Sequence, residues 1–569
     1  MHLDSKPLWT DEFSTIVFSL GHTFQGIPLN EPISIHALLQ PLQPDPPTEV
    51  SAVWQRLSAE SNHPPLFFML MHGWLRLFPS DANGLVSAWS VRSLPALFGV
   101  ASIPAAFGLG CLAFRSPVVA HIAAALMAIS PFSIYLAQEA RHYTLPILWV
   151  IASLSCFVVA IRALGDNPTG ETVSRRQSLP LWVCGVWIAV NALGIATHYF
   201  FLFILVAQGI VFLGLGLWQR RWGSTWSRIG IVALGSMMAS LVWLPVWQSS
   251  QDSELTRWIY RGDRTGFALL EPLTQALGGW ISMLYLLPIQ ATSDWVRISS
   301  IILLVLVILW TIPTVVDGLK TQWRSQNQLV LLGLGGVVLG AIALFLSITY
   351  GLGMDLTSAF RYNFVYFPVV IVLIAAALEP HWKKLRATGQ RTVLVMGLIS
   401  LLSGLTVVNN LGFQKTHRPD LVVQAIRKNS DVPSLVAIAH RTHGQTGRLM
   451  GIAWDWQQTS PEDEPAPQFL LAHQGENPRS PLIPLRRSLV SLPRPLDLWL
   501  VNFERVPKRP LQTLLQKQGC VETPKRRSVD GYQYALYRCA TQSALDEPGD
   551  RPKGKGFSLP LKPISSALR

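Results

Sequence analysis

From Leu85 to about residue 410, apolar stretches long enough to cross a bilayer follow one another, and no other feature limits the chain so tightly. In hydrocarbon every backbone N–H and C=O needs a partner within the chain, so such stretches must be helices. Each needs about 20 residues to span. Spans are expected near 85–114, 117–136, 143–163, 181–197, 199–217, 228–247, 296–316, 328–350, 361–378 and 391–410. The run Leu181–Leu217 is too long for one helix, and Thr197-His198-Tyr199 divides it at polar groups. Composition agrees: 50% of the 569 residues are hydrophobic and 14% are charged, against about 25% charged in an ordinary soluble domain. The expected fold class is a polytopic α-helical membrane protein with a soluble appendage.

Charge supplies orientation. The net charge is +13, and in a membrane protein such an excess belongs first to cytoplasmic loops facing anionic lipid. Arg115 lies between the first two spans, Arg162, Arg175 and Arg176 between the third and fourth, and Arg220, Arg221 and Arg228 between the fifth and sixth. Lys320 and Arg324 follow the seventh, and Lys383, Lys384, Arg386 and Arg391 the ninth. Every second loop is therefore basic and is assigned to the cytoplasm. The alternate loops, everything before residue 63 and everything after about Asn410 then face outward. Residues 1–63 hold no run long enough to span and no cleavable signal. The expectation is a first span upstream of Met1; a short translocated tail is the alternative. No zinc-like Cys/His spacing or RNA-binding signature points to nucleic acid as a partner.

Outside the spans, four regions are expected. Residues 1–84 form a first outward loop, polar and proline-rich, with a weakly amphipathic piece at Ser14–Leu20 and a short interfacial or re-entrant helix at Pro64–Phe78. Residues 85–410 carry about ten spans. Residues 411–540 alternate short apolar runs with helical patterns, as in a small α/β domain. Residues 541–569 are basic and Pro/Gly-containing, as disordered tails are. Cys111, Cys156 and Cys184 lie in apolar runs and read as packing residues. Cys520 and Cys539 can form a disulfide if their domain lies outside the cytoplasm; two unpaired thiols are the alternative.

Few residues outside the basic loops can do chemistry. In Trp9-Thr10-Asp11-Glu12 two carboxylates stand beside a tryptophan that would anchor at headgroup level, leaving Asp11 and Glu12 facing a cavity. His63, in Asn62-His63-Pro64-Pro65-Leu66, is held at an element boundary by prolines that stop a helix from extending backward. Glu139 and Arg141, in Gln138-Glu139-Ala140-Arg141-His142-Tyr143, place both signs at a span boundary, where ions mark function as often as a salt bridge. Arg361 departs from the cytoplasmic bias, and its planar fork suits a lipid phosphate, with snorkelling to headgroups as the alternative. His198 reads as a hydrogen-bonded boundary histidine. The spans carry almost no ionisable group at mid-depth, which disfavours an ion-coupled transporter.

In this order Leu8-Trp9-Thr10-Asp11-Glu12, His63-Pro64-Pro65-Leu66 and Gln138–Tyr143 resemble the polyprenyl-phosphate-dependent GT-C glycosyltransferases. The bacterial relatives of protein O-mannosyltransferases and of the lipid A aminoarabinose transferase are the nearest in pattern. The resemblance covers roughly residues 3–410. It implies a bacterial plasma-membrane enzyme that moves a sugar, with inversion, from a polyprenyl-phosphate donor to an acceptor hydroxyl on a lipid, protein or glycan at the outer face. It implies Asp11 as general base, Glu12 as its acidic partner and Glu139 as a second acid. Arg141 and Arg361, with His63, fall where donor-phosphate contacts are expected. Some members bind a divalent cation, but no ligand set for one is visible here and no other cofactor is implied. The competing expectation is a flippase of lipid-linked sugars, which would keep its turnover without Asp11.

Overall fold

The computed structural model describes residues 2–540 except 46–47, 166–177, 220–222, 251–253, 255–258, 261–263, 292, 326, 384–386, 414–416, 462–463 and 524–526. The tail 541–569 and the loop residues Arg175, Arg176, Arg220, Arg221, Lys384 and Arg386 lie outside the described residues.

The N-terminal segment holds α1 (Thr10–Ser19), β1 (Pro32–Ile33), α2 (Ile35–Leu39), α3 (Val50–Glu60) and α4 (Leu66–Leu75). The helical body follows: α5 (Ala88–Phe114), α6 (Pro117–Ile129), α7 (Pro131–Ala137), α8 (Thr144–Gly165), α9 (Leu181–Thr197), α10 (Phe201–Gln219), α11 (Ser224–Leu241), α12 (Leu244–Ser250), α13 (Glu271–Ile281), α14 (Asp294–Trp323), α15 (Gln328–Gly351), α16 (Phe367–Lys383) and α17 (Ala387–Val408). The C-terminal part runs α18 (Pro419–Asn429), β2 (Ser434–His440), α19 (His443–Thr459), β3 (Gln468–His473), α20 (Leu482–Ser491), β4 (Leu496–Val501), α21 (Lys508–Lys517), β5 (Cys520–Glu522), β6 (Arg527–Val529) and β7 (Tyr532–Cys539).

The protein is a polytopic α-helical membrane protein with a small C-terminal α/β part. Among the described residues six helices are long and apolar enough to cross a membrane: α5, α8, α10, α14, α15 and most of α17. The expected span 117–136 is instead a pair, α6 and α7, bent by 54° at Ser130-Pro131. The proline has no N–H to continue the α6 ladder, and the Ser130 hydroxyl accepts from Ser133 N to start the next turn. The expected span 361–378 is also shifted: Phe360–Val365 is a 3-10 turn and α16 begins at Phe367, so Arg361 precedes the helix. Between α5 and α6 the reversal is made by Arg115 in the left-handed region (φ 49°), followed by the Ser116 cap and Pro117 in the first turn. Where helices press together, small residues allow it: a Cβ on Gly318 of α14 would lie 1.8 Å from the Ala377 carbonyl oxygen of α16. The outer face of α14 is apolar and exposed, including Ile302, Leu306 and Leu309, as a lipid-facing helix requires.

The sheet order is β1-β3-β2-β4-β7-β5, with β6 pairing β7. Strands β3, β2 and β4 are parallel, each joined by a helical crossover, and β7 closes one side antiparallel to β4. Alternation along β2 assigns the two faces. Val436 and Ile438 pack on one side with α18, α19 and the N-terminal helices, while Leu435 and Ala437 pack on the other with α20 and α21. Segments 1–84 and 411–540, distinct in sequence, thus share one apolar core. They also share a sheet, since Pro32 and Ile33 pair with Leu470 and Phe469. Gly447 lets α19 lie directly on α1; a Cβ there would stand 3.0 Å from Thr10 Cγ2 and 3.2 Å from its carbonyl oxygen. Cys520 and Cys539 face each other across β5 and β7 and are joined as a disulfide.

Candidate active site at the start of α1

Helix α1 begins after Trp9, whose backbone is extended, and carries Asp11 and Glu12 in its first turn, where the helix dipole favours negative charge. Successive residues on a helix diverge by about 100°, so the two carboxylates part company.

Glu12 turns inward, against the expectation that both acids face a cavity. Its side chain is fully buried and takes Arg92 as a two-pronged partner, Nε at 2.7 Å on one oxygen and Nη2 at 2.8 Å on the other. The Ala140 N–H donates at 2.9 Å and the Trp9 N–H at 3.2 Å. Arg92 spends its remaining donors on the carbonyls of Leu3, Lys6 and Pro7. A buried ion pair is tolerated when every lone pair and proton is met this way. Glu12 therefore ties α1, α5, the N-terminal stretch of chain and the 138–143 turn together. Arg92 was missed in the sequence. Its signal was a lone arginine inside the apolar run that opens the first span.

Asp11 turns the other way and keeps 32% of its side chain exposed. Arg361 Nη2 stands 3.6 Å from its Oδ2 and Arg141 Nη2 4.0 Å, close enough for strong attraction yet beyond hydrogen-bond length. Arg141 is held by its own bonds: Nη1 donates to the Asp11 carbonyl at 3.0 Å and to Thr15 Oγ1 at 3.1 Å. Nη2 donates to His63 Nε2 at 3.0 Å. Because a guanidinium can only donate, His63 Nε2 accepts, and the ring proton sits on Nδ1, facing Ser61 Oγ at 3.0 Å. Burial, then the neighbouring Arg141, His443 and Arg361, hold the His63 pKa well below the usual value, so it is neutral at pH 7.

Arg361 lies 5.2 Å from the Trp9 ring and 5.7 Å from the Tyr362 ring, cation–π distances that fix the guanidinium in place. Trp9 is buried against Arg361 and His417, which corrects its reading as a headgroup anchor. His142 and His198 extend the pocket wall, with His142 4.7 Å from His198 and 5.4 Å from His63, ring to ring. Arg141 Nε and both ring nitrogens of His142 are buried without a hydrogen-bond partner among the described residues. Glu139 is buried in the same turn, where its carbonyl accepts from Arg141 N at 2.7 Å. From the C-terminal part, His443 stacks on Phe24 at 5.0 Å, and burial pushes its pKa down to about 4, offset in part by Asp11. His443 and His417 were not singled out in the sequence, because nothing local marks them.

The structure thus brings Asp11, His63, Arg141 and Arg361 to one place from four separate stretches of chain, and it turns Glu12 away. Among the described residues no three His, Cys, Asp or Glu side chains converge on a point fit for a metal ion. Asp11 instead faces two guanidinium groups.

No family model and no curated protein matches the chain. Among solved structures it is similar to ArnT from Cupriavidus metallidurans in the apo state, at 12% identity over 96% of this chain and 96% of that chain, TM-score 0.49. It is similar to the same protein bound to undecaprenyl phosphate, at 13% identity over 86% and 90%, TM-score 0.47. It is also similar to the archaeal oligosaccharyltransferase AglB from Archaeoglobus fulgidus in complex with an inhibitory peptide and a dolichol-phosphate, at 13% identity over 86% and 67%, TM-score 0.38.

Proposed function

We propose that the chain is an integral-membrane glycosyltransferase of the GT-C type, moving a sugar from a polyprenyl-phosphate donor to an acceptor hydroxyl. One observation carries the reading. A single part-exposed carboxylate, Asp11, stands 3.6 and 4.0 Å from two guanidinium groups at one end of a bundle of apolar helices. Acceptor activation and anion stabilisation are then side by side. The acceptor hydroxyl donates its hydrogen bond to Asp11 at about 3 Å. Asp11 takes the proton as the acceptor oxygen attacks the anomeric carbon, the glycosidic carbon–oxygen bond forms, and the bond to the phosphate breaks on the opposite face, inverting the centre. The polyprenyl phosphate departs with the electron pair and needs cations and no acid.

Arg361 and Arg141 supply those cations, aimed in advance by Trp9, Tyr362, Thr15 and His63, where little water screens them. Neutral His63 keeps Arg141 oriented by accepting its hydrogen bond and adds no charge. When the donor phosphate engages the guanidinium groups, their pull on Asp11 weakens, and the carboxylate is free to act on the acceptor. Glu12 and Arg92 hold α1 still while this happens. Glu139, in the turn that carries Arg141, is the second acid of the site.

The donor tail would lie along the exposed apolar helices, and the site would face the extracytoplasmic side. The alternation of basic loops supports that orientation, as does the Cys520–Cys539 disulfide, since such bonds persist in oxidising compartments. Asp11→Asn tests the assignment: the protein is expected to insert and fold, with transfer from lipid-linked donor lost. Normal glycan product from that variant, measured by mass spectrometry of the membrane lipids, would falsify the base role.

A further inference from the structure

The C-terminal sheet has a feature that the Asp11 site does not use. Chain order and sheet order disagree at β2: the crossover through α19 leads to β3 on one side, and the next, through α20, leads to β4 on the other. In parallel α/β sheets the crevice at the carboxyl ends of the strands, where the winding reverses, is where ligands bind. A cleft of about 360 Å³ opens there, at the lower end of the range for small-ligand pockets.

Its walls come from every element that meets at the reversal. Arg441 follows β2, Gln474 follows β3, and Asn502 and Arg505 follow β4, while Gln445 and Arg448 stand on the first turns of α19. Three arginines face one carboxylate, Glu504, among the lining residues. The lining is mainly polar, with Ala439, Val529 and Tyr532 as its apolar members, which suits a hydrophilic ligand better than a lipid tail. Asn502 is in the left-handed region, φ 50°. Its amide accepts from Gln533 N at 2.8 Å and donates to the Gly531 carbonyl at 3.1 Å, pinning the β6–β7 turn as a fixed rim. Arg448 donates to the Gly531 carbonyl as well. Arg441 lies 3.9 Å from Glu254, so a carboxylate from the helical body already sits against one guanidinium.

We propose that this cleft binds an acidic sugar unit, a pyranose carrying a carboxylate or a phosphate. Arginine pairs such oxyanions through its planar fork. The Gln474 carboxamide supplies a donor and an acceptor for ring hydroxyls, and Gln445, whose Oε1 accepts from Thr442 N at 2.8 Å to cap α19, supplies its amide donors. The cleft is separate from the Asp11 site yet close to it. Helix α19 lines the cleft with Gln445 and Arg448 and rests on Thr10 through Gly447, so one helix diameter, about 10 Å, divides the two. The proposal stands on the cleft alone and does not require the transferase reading.

Titration calorimetry on the full-length protein in detergent micelles tests it, with a glucuronic-acid-containing disaccharide and glucose 6-phosphate as probes and maltose and inorganic phosphate as controls. Saturable binding of at least one acidic sugar is expected, with Kd about 1 mM or tighter. Arg505→Glu and Gln474→Ala should each weaken it about tenfold or more, the loss of one charge-assisted contact or of one buried hydrogen bond. The two acidic probes distinguish a carboxylate from a phosphate as the bound oxyanion. Absence of saturable binding, equal affinity for inorganic phosphate or maltose, or indifference to both substitutions would overturn the proposal. Asp11→Asn should leave the titration unchanged; loss of binding in that variant would move the ligand to the other site and sink the assignment.

Discussion

Helix α1 presents two faces of opposite character within one turn. On the Glu12 face the carboxylate is fully buried, and its ion pair with Arg92 closes on backbone carbonyls from three residues. On the Asp11 face two guanidinium groups stand 3.6 and 4.0 Å from the carboxylate, about a third of which is open. Saturation makes the first face a fastener. In the proposed mechanism the second face is the reactive one, because an incoming anion or hydroxyl finds donors and an acceptor whose orientation is already set. The same residue class, one position apart, meets two environments because the helix aims them apart.

The largest expected effect separates the two faces directly. Asp11→Asn should lower transfer by about 10²- to 10⁴-fold, the range for a positioned general base, while the thermal midpoint stays near the parent's. Glu12→Gln should do the reverse, leaving Arg92 buried and unmatched at a cost of about 3–5 kcal/mol, read as a fall in the thermal midpoint and in recovered protein. If Glu12→Gln is stable and loses only activity, the division of labour between the faces is wrong.

A smaller effect is expected from Arg361→Lys. The charge remains but the fork and the stacking on Trp9 are lost, so transfer should drop by roughly 10- to 100-fold, about 1.4 to 2.7 kcal/mol, with donor saturation weakened more than folding. An unchanged rate with varied donor concentration would remove Arg361 from the phosphate site.

The smallest is a pH effect on two buried histidines of the C-terminal part. Burial, with nearby histidines adding to it, pushes His440 down to about 4, and burial does the same to His443. Both pKa values are lower in the folded state than in the unfolded chain. The unfolded chain therefore binds more protons below about pH 6.5, and the stability from these two groups is lost as pH falls from about 6.5 toward 4. Asp455 opposes them: burial, with Asp420 beside it, raises its pKa to about 6, which favours the folded state as pH drops through that value. The thermal midpoint should fall across this window, and His443→Phe should flatten the fall. A midpoint that holds steady down to pH 4 in the parent protein would show that these histidines protonate in place.

Legibility differs between the parts. The helical body was readable because a span must bury its own backbone, so length and apolarity alone mark it; α8, α14 and α15 fall where the runs lie. The bend at Ser130-Pro131 and the late start of α16 were less visible, since both depend on how a short polar turn is held by neighbouring helices. The Asp-Glu pair, His63, Arg141 and Arg361 stood out as charged or ring-bearing groups at span boundaries. Their partners did not: Arg92, His417 and His443 lie 80, 406 and 432 positions beyond Glu12 or Asp11 in the chain, where no local pattern can connect them.

What the amino-acid order determined by itself is therefore the class of solvent each stretch must meet. Transfer of apolar side chains and satisfaction of backbone groups are local requirements, written within about 20 residues. What only the tertiary structure decided is which of two adjacent carboxylates is buried against Arg92 and which stays part-exposed beside two arginines. That choice is made by the rotation of α1 against α5 and α19, and contacts between segments hundreds of residues apart set that rotation.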